Sequence, residues 1–391
     1  MEIRTLASTT FDGRFLNQGA IMDFSGKMAG ICQMKETLDE IMREPEEIIF
    51  RRASSKIERQ DHGVFGHETV TLYLQDIPKI LAMVLNNEKY YNTSEKSARY
   101  TEMKTSGKEE ELYHKWKDIF TSVISMKYND MDPKMMAKLA LENARYMISV
   151  FTPSTNMAYT TSIKQLNYIV GWMQNYIEQA SSMKKASDFE HRLAMVFAEF
   201  VRKVDKELLI PGLTDPRDQG FSLFGKREHE EEWGENYSIS YYGSFAQLAQ
   251  AQSHRALHYE FMFSNFEGTL RSNPGFYIPP IIYNGQYEKQ WLDDAELIID
   301  DFPQGMMLKI NERGTCEDFI SKCLEMLCGQ TQLEICAQTA STLSQYYYGT
   351  RNEKVHDLLE PYVNTPKCKS IGNVCKRPCY WGPKQVFTRL V

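Results

Sequence analysis

The chain lacks any apolar run long enough to span a membrane, and its opening, Met1-Glu-Ile-Arg-Thr5, lacks the apolar core of a secretory signal. These absences set the expectation of a cytoplasmic protein without a membrane partner. No basic patch or tail is present, and the net charge is -7 with a pI near 5.7. That excludes a general nucleic-acid binder, which needs concentrated positive charge. An anionic small ligand would need Arg and His gathered locally. Cysteine is missing between Cys32 and Cys316, and the other seven of the eight cysteines lie between Cys316 and Cys379. In a cytoplasmic chain these are free thiols or metal ligands rather than disulfides. Cys368, Cys375 and Cys379 lack the tight pairing and the fourth ligand of a structural zinc site, so no metal is expected.

What is present suits two domains. The chain has 391 residues, 42% of them hydrophobic and 12% aromatic, enough to build packed cores. Residues 69–74, Thr-Val-Thr-Leu-Tyr-Leu, alternate polar and apolar and predict a half-buried strand. Asp76 then offers an N-cap, Pro78 suits a first helical turn, and Ile80, Leu81, Val84 and Leu85 form a helical stripe. The segment Asn92-Thr-Ser-Glu-Lys-Ser-Ala-Arg-Tyr-Thr101 is expected to leave that helix as a polar loop. It holds Glu95, Ser97, Arg99 and Tyr100 together. A guanidinium fork suits phosphate, and a carboxylate or hydroxyl can bond a sugar or a base edge.

A second helix starts at Asp132-Pro133, turns Met136, Leu139, Ala140 and Met147 inward, and stops before Pro153. Glu142 and Arg145 share one of its faces, and the plain reading of that pair is a surface ion pair. A third helix runs from about Thr161, and a fourth holds Leu193, Phe197 and Phe200 and ends at Pro211-Gly212. Residues 211–236 are rich in Gly, Pro and charge and read as a connection. Then the order recurs. Tyr237–Tyr242 alternates like a strand, Gly243-Ser244 caps a helix, and Gln252–Glu260 is polar; Cys316–Tyr346 reads as helical. The recurrence predicts an internal duplication.

These residues resemble the flavin-dependent thymidylate synthase family. His62-Gly-Val-Phe-Gly-His67, a strand, a helix and Ser94-Glu-Lys-Ser-Ala-Arg-Tyr100 follow the order of its H-x-x-F-x-H segment and N-E-x-S-x-R-Y signature. Glu142-Asn-Ala-Arg145 is similar to its E-x-A-R helix, and Thr161–Leu166 sits at its N-x-R-x-L helix. The helix from Phe189 takes the place of its A-Q-x-E-I segment. In the second half, Gln250–Arg255 resembles Q-x-x-R-H-R, Gly275–Pro279 the segment after the signature, and Gln330–Ile335 the A-Q-x-E-I segment. The tail with Cys368, Cys375 and Cys379 is similar to one seen in some members. The resemblance implies an α+β fold, an antiparallel sheet packed with long helices, in two tandem copies. Residues 1–212 form copy one, 213–236 a linker and 237–391 a diverged copy two.

Each copy departs from the pattern. The basic triplet RHR reads Asn87-Glu88-Lys89 in copy one, and a later arginine falls on Met173. Copy two keeps Ser253-His254-Arg255, but Phe263 and Asn265 stand at the signature serine and arginine, and Ile299 at the E-x-A-R arginine. The two losses are complementary, so the expected site is shared between copies. The resemblance implies that Glu95, Ser97, Ala98, Arg99, Arg145 and Gln250 hold deoxyuridylate, with Arg99 and Arg145 stabilising charge on the reacting ring. It assigns His67, Lys164, Ser253, His254 and Arg255 to FAD. The implied reaction is reductive methylation of deoxyuridylate with methylenetetrahydrofolate and NADPH, in a homodimer that mimics the family tetramer. Two other readings are a flavin enzyme that modifies another pyrimidine nucleotide, for example by hydroxymethylation, and a degenerate structural or regulatory homologue.

Overall fold

The computed structural model describes residues 1–9, 16–33, 35–182, 186–217, 219–253, 255–262, 275–370, 372, 375–376 and 379–391. In chain order its elements begin β1 (Glu2–Ser8), α1 (Gln18–Gln33), α2 (Leu38–Met42), α3 (Glu46–Glu58), β2 (Thr69–Pro78), α4 (Lys79–Asn87) and β3 (Tyr91–Glu95). There follow α5 (Gly107–Lys127), α6 (Pro133–Ala144), β4 (Pro153–Ser162), α7 (Ile163–Ser182), α8 (Asp188–Lys203), β5 (Glu232–Trp233), β6 (Asn236–Ser244) and α9 (Phe245–Ala251). The last are β7 (His258–Phe261), α10 (Gln286–Glu296), β8 (Met307–Thr315), α11 (Cys316–Met326), α12 (Leu333–Gly349), α13 (Glu353–Leu359) and α14 (Gly382–Gln385). The chain divides into two compact units, residues 1–96 with 153–221, and residues 97–152 with 222–391.

The first unit holds a four-stranded antiparallel sheet in the order β1-β2-β4-β3. In β2, Val70, Leu72 and Leu74 are buried while Thr69, Thr71 and Tyr73 are half-buried, the period-two pattern of a strand with one core face. The strand runs further than expected. Asp76 is not an N-cap: it lies at φ 50°, where the register with β4 shifts, and its N–H donates to Asn156 Oδ1 at 2.8 Å. Pro78 ends the strand, and α4 starts one residue later. Residues 92–95, expected as loop, belong to edge strand β3, which pairs with β4. An edge strand tolerates such a polar sequence because its outer rim faces away from the core. The fourth predicted helix, α8, ends at Lys203 rather than at Pro211.

The second unit repeats the plan. Its sheet has the order β5-β6-β8-β7, all antiparallel. In both sheets the second strand runs straight into a short helix, α4 or α9. The fourth strand runs straight into a longer one, α7 or α11, and a second helix follows, α8 or α12. The chain therefore carries two copies of one α+β arrangement.

The expected partition at 213–236 differs from the compact units in one respect: residues 97–152, copy one by sequence, fold with copy two. The reason is packing. Leu112, Tyr113, Trp116, Phe120 and Ile124 line the buried side of α5, and Trp116 meets Trp291 of α10 edge to face at 4.7 Å. Each fully buried Leu or Phe of this kind contributes about 1.5–3 kcal/mol. Asp132 caps α6 as expected, accepting from the Lys134 and Met135 N–H groups, with Pro133 in the first turn. The segment after α6 pairs with copy two: Gln304 N–H donates to the Ile148 carbonyl at 2.8 Å and Gly305 N–H to that of Tyr146 at 2.9 Å. The helical stretch expected from Cys316 to Tyr346 is two helices, α11 and α12, broken at 327–332.

Candidate functional site

The second unit gathers the two strongest motifs. Ser97–Tyr100 is a tight turn in which the Tyr100 and Thr101 N–H groups donate to the Ser97 carbonyl, both at 3.1 Å. Ser97 Oγ accepts from the Arg99 N–H at 3.3 Å, and Ala98 packs on the core around Trp116. The turn buries Arg99 and leaves the Tyr100 ring exposed. Arg99 Nε donates to Glu142 Oε2 at 2.5 Å, and its Nη2 donates to the Gln330 carbonyl at 2.6 Å. The plain reading of Glu142 and Arg145 as a surface ion pair is therefore corrected. Both are buried, and the hydrogen-bonded partner of Glu142 is Arg99.

Arg145 follows at the end of α6. Its Nη2 donates to Gln332 Oε1 at 2.5 Å, while its buried Nε has no hydrogen-bond partner among the described residues. Gln332 Nε2 donates to the Tyr146 hydroxyl at 2.6 Å and to Glu334 Oε2 at 3.3 Å, and Tyr146 donates to Glu334 at 2.8 Å. Glu334 also accepts from Ser244 at the start of α9, from the N–H at 2.8 Å and the hydroxyl at 2.7 Å. The E-x-A-R residues of copy one thus bond directly to the Q-x-E residues of copy two.

The electrostatics follow from burial and from these partners. Burial alone would raise the Glu142 carboxyl, but the charges of Arg99 and Arg145 and the Arg99 hydrogen bond outweigh it, and the net direction is down. Burial presses Arg145 below the ordinary arginine value; it stays protonated, as arginine does in proteins. Burial pushes Glu334 up, opposed by the Ser244 and Tyr146 hydrogen bonds and the Arg145 charge. Arg99 and Arg145 are thus faced by two carboxyl groups, Glu142 and Glu334, and the Arg145 Nε donor is the group left to meet an acceptor on a ligand.

The other candidates fall in separate places. Gln250 is half-buried on α9, and its carbonyl accepts from the Ser253 hydroxyl at 2.8 Å. Ser253 and Arg255 are exposed beyond the helix, and His254 lies outside the described residues, as do Phe263 and Asn265. Glu95, His67 and Lys164 belong to the first unit. Glu95, at the end of β3, accepts from Lys79 Nζ at 2.7 Å and Thr155 Oγ1 at 3.2 Å. His67 is exposed, and Lys164 lies near its neighbour Gly66, where an added Cβ would stand 3.9 Å from Nζ. The exposed His67 imidazole, the exposed Arg255 guanidinium and the half-buried Lys164 ammonium are each chemically suited to a phosphate. Glu88, where the resemblance places the middle residue of a basic triplet, is buried.

Sequence reasoning left Gln332, Glu334, Tyr146 and Ser244 out of the site, although Gln332 and Glu334 stand in the segment that resembles A-Q-x-E-I. A cavity of about 300 Å³ beside α12 is lined by Leu327, Leu333, Cys336, Leu343 and Phe387 among others, and none of the site residues lines it. All eight cysteines are free, and among the described residues no three His, Cys, Asp or Glu side chains are grouped to hold a metal ion. Nor is any helix among them long and apolar enough to cross a membrane.

No protein-family model matches the chain, and no curated protein matches it. Among solved structures, the chain is similar to a flavin-dependent thymidylate synthase from Helicobacter pylori complexed with FAD and dUMP. The identity is 13% over 54% of this chain and 100% of that chain, with a TM-score of 0.29. A second structure of the Helicobacter pylori enzyme with FAD and dUMP aligns at 16% identity over 55% of this chain and 99% of that one, TM-score 0.30. A UMP/dUMP methylase from Streptomyces cacaoi bound with 5-Br dUMP aligns at 13% identity over 51% and 86%, TM-score 0.31. Each is similar to about half of this chain.

Proposed function

We propose that the chain is a flavin-dependent enzyme that converts deoxyuridylate to thymidylate with methylenetetrahydrofolate and NADPH, at a site shared between its two copies. One observation carries this reading. The S-x-R-Y arginine, the E-x-A-R carboxylate and arginine, and the second copy's Q-x-E segment meet in one buried cluster in which Arg145 Nε has no partner among the described residues. Arg99 and Arg145 bind the phosphate or the pyrimidine carbonyls, and their charge stabilises the electron-rich ring during substitution at C5. Ser97 and Ala98 shape the turn that presents Arg99, and Gln250 faces the nucleotide. Glu95 keeps the nucleotide-binding role that the resemblance gives it, and His67, Lys164, Ser253, His254 and Arg255 keep theirs toward FAD. Bound FAD supplies hydride chemistry that no side chain possesses.

The test is direct. Purified protein should be yellow, release FAD on denaturation, and form thymidylate from deoxyuridylate, methylenetetrahydrofolate and NADPH. A hydroxymethylated product would select the related pyrimidine-modifying reading. A second observation favours the non-catalytic reading: Arg99 and Arg145 already have internal acceptors, and the basic triplet of copy one is Asn87-Glu88-Lys89. Colourless protein that cannot be loaded with FAD would establish that alternative.

A further inference from the structure

We propose that Gln332 and Glu334 of the second copy are positioning residues for Arg145 of the first, holding its guanidinium so that the Nε–H is left for an anionic nucleotide. The nucleotide in this statement rests on the function proposed above; the positioning does not. Arg145 is 7% exposed, and Gln332 and Glu334 are 1% and 8% exposed, so water is a poor substitute for any bond among them. The two ends of the Gln332 amide are chemically opposite. Its oxygen faces Arg145 only because its nitrogen is taken by Tyr146 and Glu334. Reversed, the amide would set an N–H₂ against a guanidinium donor.

Glu334 fixes that orientation. Its carboxylate accepts from the Ser244 N–H, the Ser244 hydroxyl, the Tyr146 hydroxyl and the Gln332 amide. Four donors converge on it, and only an ionised carboxylate has the lone pairs to accept from all of them. The device is confined to copy two. The matching helix start of copy one is capped by Ser187 with its own partner Glu190, and the residue two places after that cap is the buried Phe189. An internal duplication that keeps a carboxylate at one of two equivalent places has specialised that place. The outcome is a guanidinium anchored at Nη2 with a buried Nε donor unmatched, which is unfavourable unless a ligand completes it.

The experiment reads Arg145 itself. In protein labelled with ¹⁵N-arginine, the Arg145 Nε–Hε resonance is assigned by its loss in Arg145→Lys. Glu334→Gln, which cannot accept from four donors, and Gln332→Met, which removes the acceptor and keeps the volume, should each shift or broaden it without ligand. Both should weaken deoxyuridylate binding by about tenfold or more, equivalent to about 1.4 kcal/mol, in calorimetric titration. The double variant Arg145→Lys with Glu334→Gln should bind no more weakly than Arg145→Lys alone, because the second residue acts through the first. An Arg145 resonance unmoved in both Gln332→Met and Glu334→Gln overturns the inference, as does full additivity in the double variant. If the resonance moves but wild-type protein binds no deoxyuridylate, the positioning stands and the proposed function fails.

Discussion

Arg99 and Glu142, 43 positions apart in the chain, form a buried ion pair with Nε and Oε2 2.5 Å apart. The contact joins the S-x-R-Y turn to the E-x-A-R helix and sets the acidic member between two guanidinium groups. A carboxylate so placed has two effects. It neutralises one arginine in the absence of ligand, and it fixes the plane of the Arg99 fork.

Replacing Arg99 should therefore separate folding from binding. Arg99→Ala leaves Glu142 buried beside one cation instead of two, and should cost on the order of 3 kcal/mol of stability in urea unfolding. Arg99→Lys keeps the charge but loses the planar fork. It should retain most of the stability while deoxyuridylate affinity drops by about tenfold or more in calorimetric titration. Wild-type affinity in Arg99→Lys would show that Arg99 does not grip the nucleotide.

A pH dependence is expected from the first unit. Glu68 is buried with one long hydrogen bond, from Ser25 Oγ at 3.3 Å; burial and the nearby Asp23 push its carboxyl up to about 8 against that bond. In the native chain it holds a proton that the unfolded chain releases at much lower pH. The stabilisation from Glu68 is thus complete below the ordinary glutamate value and is lost as pH rises through about 8. Glu68→Gln, which stays neutral, should melt like wild type near pH 4 and at higher temperature than wild type near pH 8. Parallel melting curves across that range would place a charged Glu68 in the native state.

Much of this was legible in the chain, for identifiable reasons. The alternation at 69–74, the Asp132-Pro133 helix start and the Ser244 cap are local signals, and each matches an element. The recurrence of strand, helix and polar segment matches the shared strand order of the two sheets. Strand β3 is not legible as a strand because Asn92, Thr93 and Ser94 carry no apolar period; its pairing with β4 is decided by tertiary hydrogen bonds. The stripe Leu112, Tyr113, Trp116, Phe120 and Ile124 has helical spacing but is interleaved with the charges of α5, which mask it as a buried face. Gln332 and Glu334 were visible as a motif, yet their bonds to Arg145 and Tyr146 span 187 and 188 positions, beyond any local pattern.

The core of copy two makes a separate prediction. Lys322 and Glu312 are both fully buried, with Nζ and Oε2 2.5 Å apart, and Tyr237 and Tyr241 donate to the same carboxylate at 2.7 and 2.8 Å. At the equivalent points of the first sheet stand Val70, Leu74 and Tyr159, judged from the strand register. Lys322→Met leaves Glu312 buried without its cation and should cost about 3–5 kcal/mol. Adding Glu312→Leu should restore part of that loss, since an apolar pair at this place resembles the sister copy. A double variant less stable than Lys322→Met in denaturant unfolding would show that the carboxylate supports the two tyrosines more than it depends on the lysine.

The last prediction concerns flavin and nucleotide as separable ligands. Arg255 lies beyond α9 on the exposed side, whereas Arg99 and Arg145 are buried in the cluster around Glu142. None of the hydrogen bonds described above for that cluster comes from Arg255. His254→Ala with Arg255→Ala should weaken FAD retention, because two groups suited to phosphate are lost, while deoxyuridylate binding changes little. The flavin absorbance remaining after gel filtration, set beside a nucleotide titration, measures both. If the double variant keeps its flavin at wild-type stoichiometry, the second copy does not supply the flavin contacts and the shared site fails. Loss of both ligands together would place the His254-Arg255 segment in the nucleotide site itself.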